Sequence, residues 1–257
     1  MNQENVEIFR KLHKRSDGLV LSNVWDCASA VLVQHGGANA IATSSASLAW
    51  ANGYPDGGAL PVEQLLRSVE NIMRIAVVPV SIDIEAGYSD QPEQVVDLLV
   101  ELVKLGVAGI NIEDGQDSPD LFSTKLEAIR ETLGPDQMFI NARTDVYLQS
   151  LVPEAHQLQE TQQRIARYAS AGADSAFVPG LLDLEDIKVL LSSSALPLNI
   201  MLPSLELETK DFFEAGVKRL SYGPGTFLES YRQLQSFSGK GADSGVLSYD
   251  GFNRMLT

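Results

Sequence analysis

Cysteine and histidine are nearly missing: Cys27, His13, His35 and His156 are the only such side chains in 257 residues. One thiol closes no intramolecular disulfide, and without a Cys cluster there is no thiolate zinc site. The three His fall in helical stretches or at their ends with no periodic partner, which predicts surface positions. Cys27 has no His beside it and reads as a bystander rather than a nucleophile. Basic residues are also short, 19 Lys and Arg against 34 Asp and Glu, for a net charge of −15. Nucleic acid and anionic membranes need a basic excess, so neither is expected as a partner. A small anionic substrate stays open, because it needs only one local cation. No run of about 18 apolar residues occurs, and the opening MNQENVEIFRKLHKRSDG has no apolar signal core, so a cytoplasmic protein is expected.

What is present is enough apolar material for a full core, 44% hydrophobic residues against 21% charged. Short β-prone runs recur at residues 19–21, 40–43, 77–84, 107–112, 138–142, 175–178, 196–202 and 219–222. Between most of them lie helical stretches, such as 61–75, 92–105 and 154–171, whose apolar residues return every three or four positions. Gly36-Gly37, Gly106, Gly172 and Gly216 each stand where a helix gives way to a strand, a place where glycine accepts the left-handed helix stop. Eight such units in about 205 residues predict an α/β fold of the (β/α)8 TIM barrel type over an open doubly wound sheet. No Pro/Ser-rich linker divides the chain, so residues 1–257 read as a single barrel domain. Residues 236–245, rich in Gly and Ser, read as a flexible joint. The tail 246–257 carries Val246, Phe252, Met255 and Leu256 to dock on this subunit or a neighbour.

Side chains alternate across a strand, so phase shows which residues enter the barrel. In the third run the Val and Ile positions face outward, leaving Ser81, Asp83 and Glu85 inward. The fourth places Asn111 and Glu113 inward, the fifth Asn141 and Arg143, the seventh Asn199. The carboxylates lie at strand C-terminal ends, where barrel active sites sit. Crowded there, they repel unless protonated or neutralised. An oxygen-only donor set without His or Cys suits Mg2+ (or Mn2+), and the Arg143 fork suits a substrate carboxylate or oxyanion. Arg143 paired to a carboxylate as a structural bridge is the competing reading. Asp26 reads equally as a helix cap, and Tyr222-Gly223-Pro224-Gly225 as a plain turn.

Ser44-Ser45, Gly53-Tyr54-Pro55-Asp56, Asp83-Ile84-Glu85-Ala86-Gly87-Tyr88, Gly109-Ile110-Asn111-Ile112-Glu113-Asp114 and Ala142-Arg143-Thr144-Asp145 stand in an order that resembles the isocitrate lyase and phosphoenolpyruvate mutase superfamily. The match runs over roughly residues 18–225, and Phe177-Val178-Pro179 resembles the sixth strand of its methylisocitrate lyase branch. The resemblance implies a barrel that binds a small α-keto or α-hydroxy carboxylic acid on Mg2+. It implies Asp83 as direct metal ligand, with Glu85, Glu113 and Asp56 holding the metal's waters. Ser44, Ser45 and Ala46 would meet the substrate carboxylate, Arg143 its oxygens, and Asp83 would face it through the metal. The resemblance also implies a homodimer or homotetramer that exchanges its eighth helix.

Three departures narrow the chemistry. The loop after Glu113 reads Asp114-Gly115-Gln116-Asp117-Ser118-Pro119-Asp120-Leu121-Phe122, without the Lys-Lys/Arg-Cys-Gly-His of the lyases, and its nearest basic residue is Lys125. Pro179 stands where the mutases carry His, and Glu85 where most members have Asp. The expectation is therefore a Mg2+-dependent C–C lyase, oxaloacetate decarboxylation being its simplest case. Arg143, Glu113 and Tyr54 are the candidate catalytic residues, and Tyr88 a further hydroxyl. C–P chemistry on phosphonopyruvate and a non-catalytic keto-acid-binding barrel are the alternatives.

Overall fold

The structure, a computed structural model, describes residues 2–237 and 247–257. The first half runs α1 (Asn2–Leu12), β1 (Leu19–Val24), α2 (Cys27–His35), β2 (Ile41–Thr43), α3 (Ser45–Ala51), α4 (Val62–Ile75), β3 (Val80–Asp83), α5 (Pro92–Leu105) and β4 (Gly109–Glu113). The second runs α6 (Pro119–Leu133), β5 (Phe139–Arg143), α7 (Glu154–Ser170), β6 (Ser175–Phe177), α8 (Leu184–Ser193), β7 (Leu198–Met201), α9 (Lys210–Ala215), β8 (Arg219–Ser221), α10 (Gly225–Ser236) and α11 (Tyr249–Met255). The strands pair in parallel in chain order and β8 closes on β1, which makes the fold a (β/α)8 TIM barrel.

Local chemistry sets the element ends. α5 opens on Pro92, buries Val95, Leu98, Leu99 and Leu102 at helical spacing, and stops at Gly106 with φ 90°. The runs expected at 77–84 and 196–202 contract to Val80–Asp83 and Leu198–Met201. Pro79 and Pro197, which precede them, have no N–H to give a ladder. α3 went unforeseen because Ala46 to Trp50 are all buried, leaving no polar face to mark a helical period.

Ile82, Ile84, Ile110, Ile112 and Ile140 face outward and pack with Leu98, Leu99, Leu102 and Leu126 of the surrounding helices. Each fully buried side chain of this kind is worth about 1.5–3 kcal/mol. Inside the barrel the lower end is apolar: Val6 and Phe9 of α1 meet Leu19, Leu21, Ala40, Ala108 and Phe139 at the strand starts. Gly109 makes room for this plug, since a Cβ there would lie 2.8 Å from the Phe9 ring. The three His do not all reach the surface as their helical positions predict. His35 and His156 are exposed, but His13 is 2% exposed. It stacks on Phe139 at 4.3 Å, because α1 closes the barrel bottom instead of lying on its flank.

α10 anchors its first turn on β1, where Thr226 Oγ1 donates to the Asn23 carbonyl at 3.1 Å. Its Phe227 is buried against Trp25 and Trp50, while Leu234 and Phe237 at its far end are exposed. α11 docks on its own barrel through Phe252 against Trp50. The expected joint at 236–245, from residue 238 on, and Val246 lie outside the described residues.

Candidate active site

Above the apolar plug the barrel interior turns to amides. Register sets Asp83 beside Asn111, Asn111 beside Asn141 and Glu113 beside Arg143. Asn141 Nδ2 donates to Asn111 Oδ1 at 2.8 Å and to Asn199 Oδ1 at 3.0 Å. Asn111 in turn donates to Asp83 Oδ2 at 3.3 Å. Arg219, buried beneath, donates to Asn111 Oδ1 at 3.0 Å. Its Nε and Nη1 have no hydrogen-bond partner among the described residues. Burial pulls Arg219 down to about 9 against the attraction of Asp83.

At the strand C-termini, Asp83 is held from three sides. Its backbone N–H donates to Thr43 Oγ1 at 2.9 Å, and its carboxylate accepts from the Glu85 N–H at 3.2 Å as well as from Asn111. Glu85 does not lie on the strand as its phase implied. β3 ends at Asp83, and Glu85 takes a left-handed φ of 51°, Tyr88 one of 60°. Strained non-glycine residues of this kind collect at functional sites. The turn keeps the Glu85 carboxylate in the mouth, where Tyr88 Oη donates to it at 3.1 Å.

Arg143 is gripped on two edges. Its Nε and Nη2 donate to the Asp145 carboxylate at 2.6 and 3.0 Å, and Nη1 lies 2.7 Å from Glu113 Oε2. A guanidinium has five N–H donors, so one remains on each terminal nitrogen. Asp145 entered the sequence reading only as part of a motif, although its phase, two residues past Arg143, would have flagged it. Its N–H donates to Asp114, which also accepts from Arg164 at 2.8 Å and Tyr168 at 2.7 Å. That buried trio fixes the strand end carrying Arg143.

The electrostatics are those of surplus acid. Burial raises Asp83, against the pull of Arg143. Burial, then the charges of Asp56 and Asp83, push Glu85 up to about 7. Burial carries Glu113 up to about 8, with Arg143 opposing and Asp145, Asp83 and Glu85 adding. Arg143 is held above its ordinary range, since Glu113 and Asp145 outweigh the cost of burying it. Asp56 completes the group from the loop after α3, and its Oδ1 is buried with no hydrogen-bond partner among the described residues.

Among the described residues no three His, Cys, Asp or Glu side chains are grouped to ligate one ion directly. A hard cation held by one carboxylate and several waters needs no such group. The orphaned Asp56 oxygen and the excess of carboxylates over Arg143 fit such an ion.

Ser44 caps α3 without using its hydroxyl, so the first N–H groups of that helix, from Ser45 and Ala46 on, have no intrahelical acceptor. Tyr54 is half-buried with its ring against the apolar core. Asp26 caps α2, accepting from the Ser29 N–H at 2.7 Å. Cys27 Sγ donates to the Asn71 carbonyl at 3.4 Å, outside the barrel. Lys125 is buried and spent, donating to Ala86 O at 2.9 Å and Asp117 at 2.7 Å. It ties the loop after β4 to the loop after β3.

A closed barrel with a carboxylate cluster and a clamped arginine at its C-terminal mouth has the make-up of a barrel enzyme's active site. Residues 9–240 match the family described as phosphoenolpyruvate phosphomutase, and the chain belongs to that family, within the phosphoenolpyruvate mutase and isocitrate lyase superfamily. It is 35% identical over 223 residues to an uncharacterized protein of Mycobacterium tuberculosis (strain ATCC 25618 / H37Rv), covering 84% of this chain and 81% of that one. It is 28% identical over 195 residues to oxaloacetate decarboxylase 1 of Pseudomonas fluorescens (strain Pf0-1), covering 70% of this chain and 64% of that one. Among solved structures, a phosphonomutase candidate from Burkholderia cenocepacia J2315 superposes with a TM-score of 0.86 at 36% identity, covering 92% of this chain and 100% of that one.

Proposed function

We propose that the chain is a Mg2+-dependent lyase that cleaves a C–C bond in a small α-keto or α-hydroxy carboxylic acid, with oxaloacetate decarboxylation the simplest case. The observation that carries this is Arg143, clamped by Glu113 and Asp145 with two N–H donors left over, beside the acid cluster of Asp56, Asp83 and Glu85. When bound, Mg2+ supplies a Lewis acid that draws electron density from the α-keto oxygen as the bond breaks. Asp83 would hold the ion directly, with Asp56, Glu85 and Glu113 around its waters. The N–H groups of Ser44, Ser45 and Ala46 orient the substrate carboxylate. Arg143 offers its remaining donors to the oxygens that gain charge, an arrangement that stabilises a transition state more than a ground state.

Loss of CO2 from a β-carboxylate needs an electron sink but no acid for a second product. That suits a β4 loop with neither thiol nor imidazole between Asp114 and Phe122. The remaining proton comes from water or from Tyr54, on the loop that carries Asp56. The likeness to oxaloacetate decarboxylase 1 supports the same substrate class. Purified protein with Mg2+ and oxaloacetate, 2-methylisocitrate, isocitrate or phosphonopyruvate tests the proposal. Turnover of oxaloacetate is the expected result. Turnover of phosphonopyruvate alone points instead to C–P chemistry, and turnover of none to a binding barrel.

The protein is proposed to work in the cytoplasm as a homodimer or homotetramer. Support for assembly comes from a groove of about 680 Å3 between α2 and α10, lined by Trp25, Leu32, Tyr231 and Leu234 among others. Leu32 is 71% and Phe237 84% exposed, an arrangement that a neighbouring subunit's α10 would cover. Light scattering at the monomer mass of 27.9 kDa would overturn it.

A further inference from the structure

The end of the chain reaches the mouth of the barrel. Asp56 lies on a stretch between α3 and α4 without regular structure, beside Gly57 and Gly58 with φ of 97° and 84°. Such a stretch has little to hold a carboxylate in one orientation. Two residues of α11 supply it. Asn253 Oδ1 accepts from the Asp56 N–H at 2.6 Å and from Trp50 Nε1 at 3.0 Å, bridging the loop to the buried end of α3. Tyr249 Oη donates to Asp56 Oδ2 at 2.8 Å, which leaves Oδ1, the buried oxygen without a partner, as the one free to serve the site. The Tyr249 and Phe252 rings lie 5.6 and 4.9 Å from that of Trp50, so packing as well as these hydrogen bonds seats α11.

We propose that Tyr249 and Asn253 are positioning residues of the active site, holding Asp56 so that its Oδ1 faces the metal's water shell. The inference rests on the reading of Asp56 as part of a divalent-cation site. Outer residues that orient the groups around a metal typically change its affinity about 10–100-fold when altered.

Full-length protein is titrated with Mn2+ alone, followed by electron paramagnetic resonance, and its thermal midpoint is measured without metal. Tyr249→Phe keeps the ring on Trp50 and removes only the hydroxyl. It is expected to weaken Mn2+ binding about tenfold with the metal-free midpoint unchanged, and Asn253→Ala to weaken it as well. In an Asp56→Ala background, Tyr249→Phe is expected to cost nothing further. Wild-type Mn2+ binding by Tyr249→Phe, with Asp56→Ala impaired, would overturn the positioning role alone. An equal further loss in the Asp56→Ala background would also overturn it, because Tyr249 would then act elsewhere. Wild-type binding by Asp56→Ala would overturn the cation-site reading of Asp56 and this inference with it.

Discussion

Acid should unfold this protein through a residue far from its chemistry. His13 is wedged between Phe9 and Phe139 at the barrel bottom. Its Nδ1 pairs with the Phe9 carbonyl at 2.8 Å, and its Nε2 is buried without a partner among the described residues. Burial, then the nearby Arg219 charge, lower its pKa from 6.5 to about 3. The folded state therefore holds His13 neutral where the unfolded chain protonates it. Stability from this site is complete above pH 6.5 and falls as the pH drops toward 3. At about pH 5 the unfolded chain lies about 1.5 pH units below its His pKa, and protonating it favours unfolding by about 2 kcal/mol. For a barrel of this size that corresponds to about 4–8 °C in Tm. Other groups titrate in the same range, and the raised Glu85 and Glu113 act with the opposite sign. The clean measurement is therefore a difference. His13→Phe, which keeps an aromatic ring between its neighbours, is unfolded in urea beside the wild type at about pH 7.5 and pH 5. The wild type should lose about 2 kcal/mol more than the variant between the two. Parallel losses would refute the argument and place the acid sensitivity elsewhere.

Asp83→Asn should abolish turnover together with Mn2+ binding in calorimetry, because it removes the charge from the proposed direct ligand while keeping its shape. Glu85→Asp should be far milder, and equal damage from both would count against a water-mediated role for Glu85. Arg143→Lys should lower kcat/KM about 10²–10³-fold, since one ammonium cannot satisfy Asp145 bidentately, bridge Glu113 and still present two donors. Gly109→Ala should lower the unfolding free energy measured in urea by about 1–3 kcal/mol, as the new Cβ would meet Phe9 at 2.8 Å and the Phe139 carbonyl at 3.2 Å. Cys27→Ala should leave kcat/KM unchanged in the same assay, and a hundredfold loss in a folded variant would reinstate a catalytic thiol.

The strand alternation of Val80 to Asp83, Gly109 to Glu113 and Phe139 to Arg143 determined by itself which residues enter the barrel, because side-chain direction in a strand is a local property of the backbone. The glycine stops and eight-fold repeat likewise determined parallel strands alternating with helices and favoured a barrel by their number, while closure itself is settled by the pairing of β8 with β1. Three things belonged to the tertiary structure. The left-handed turn at Glu85 is set by its place in the mouth rather than by its residue type, and no pattern in the sequence announces it. The burial of His13 depends on α1 crossing the barrel bottom, which one helical period cannot distinguish from lying on the side. The hold of Tyr249 and Asn253 on Asp56 joins residues nearly 200 positions apart. A hydrogen bond between such distant residues is decided by where packing puts α11, and that requires the whole barrel to be in place.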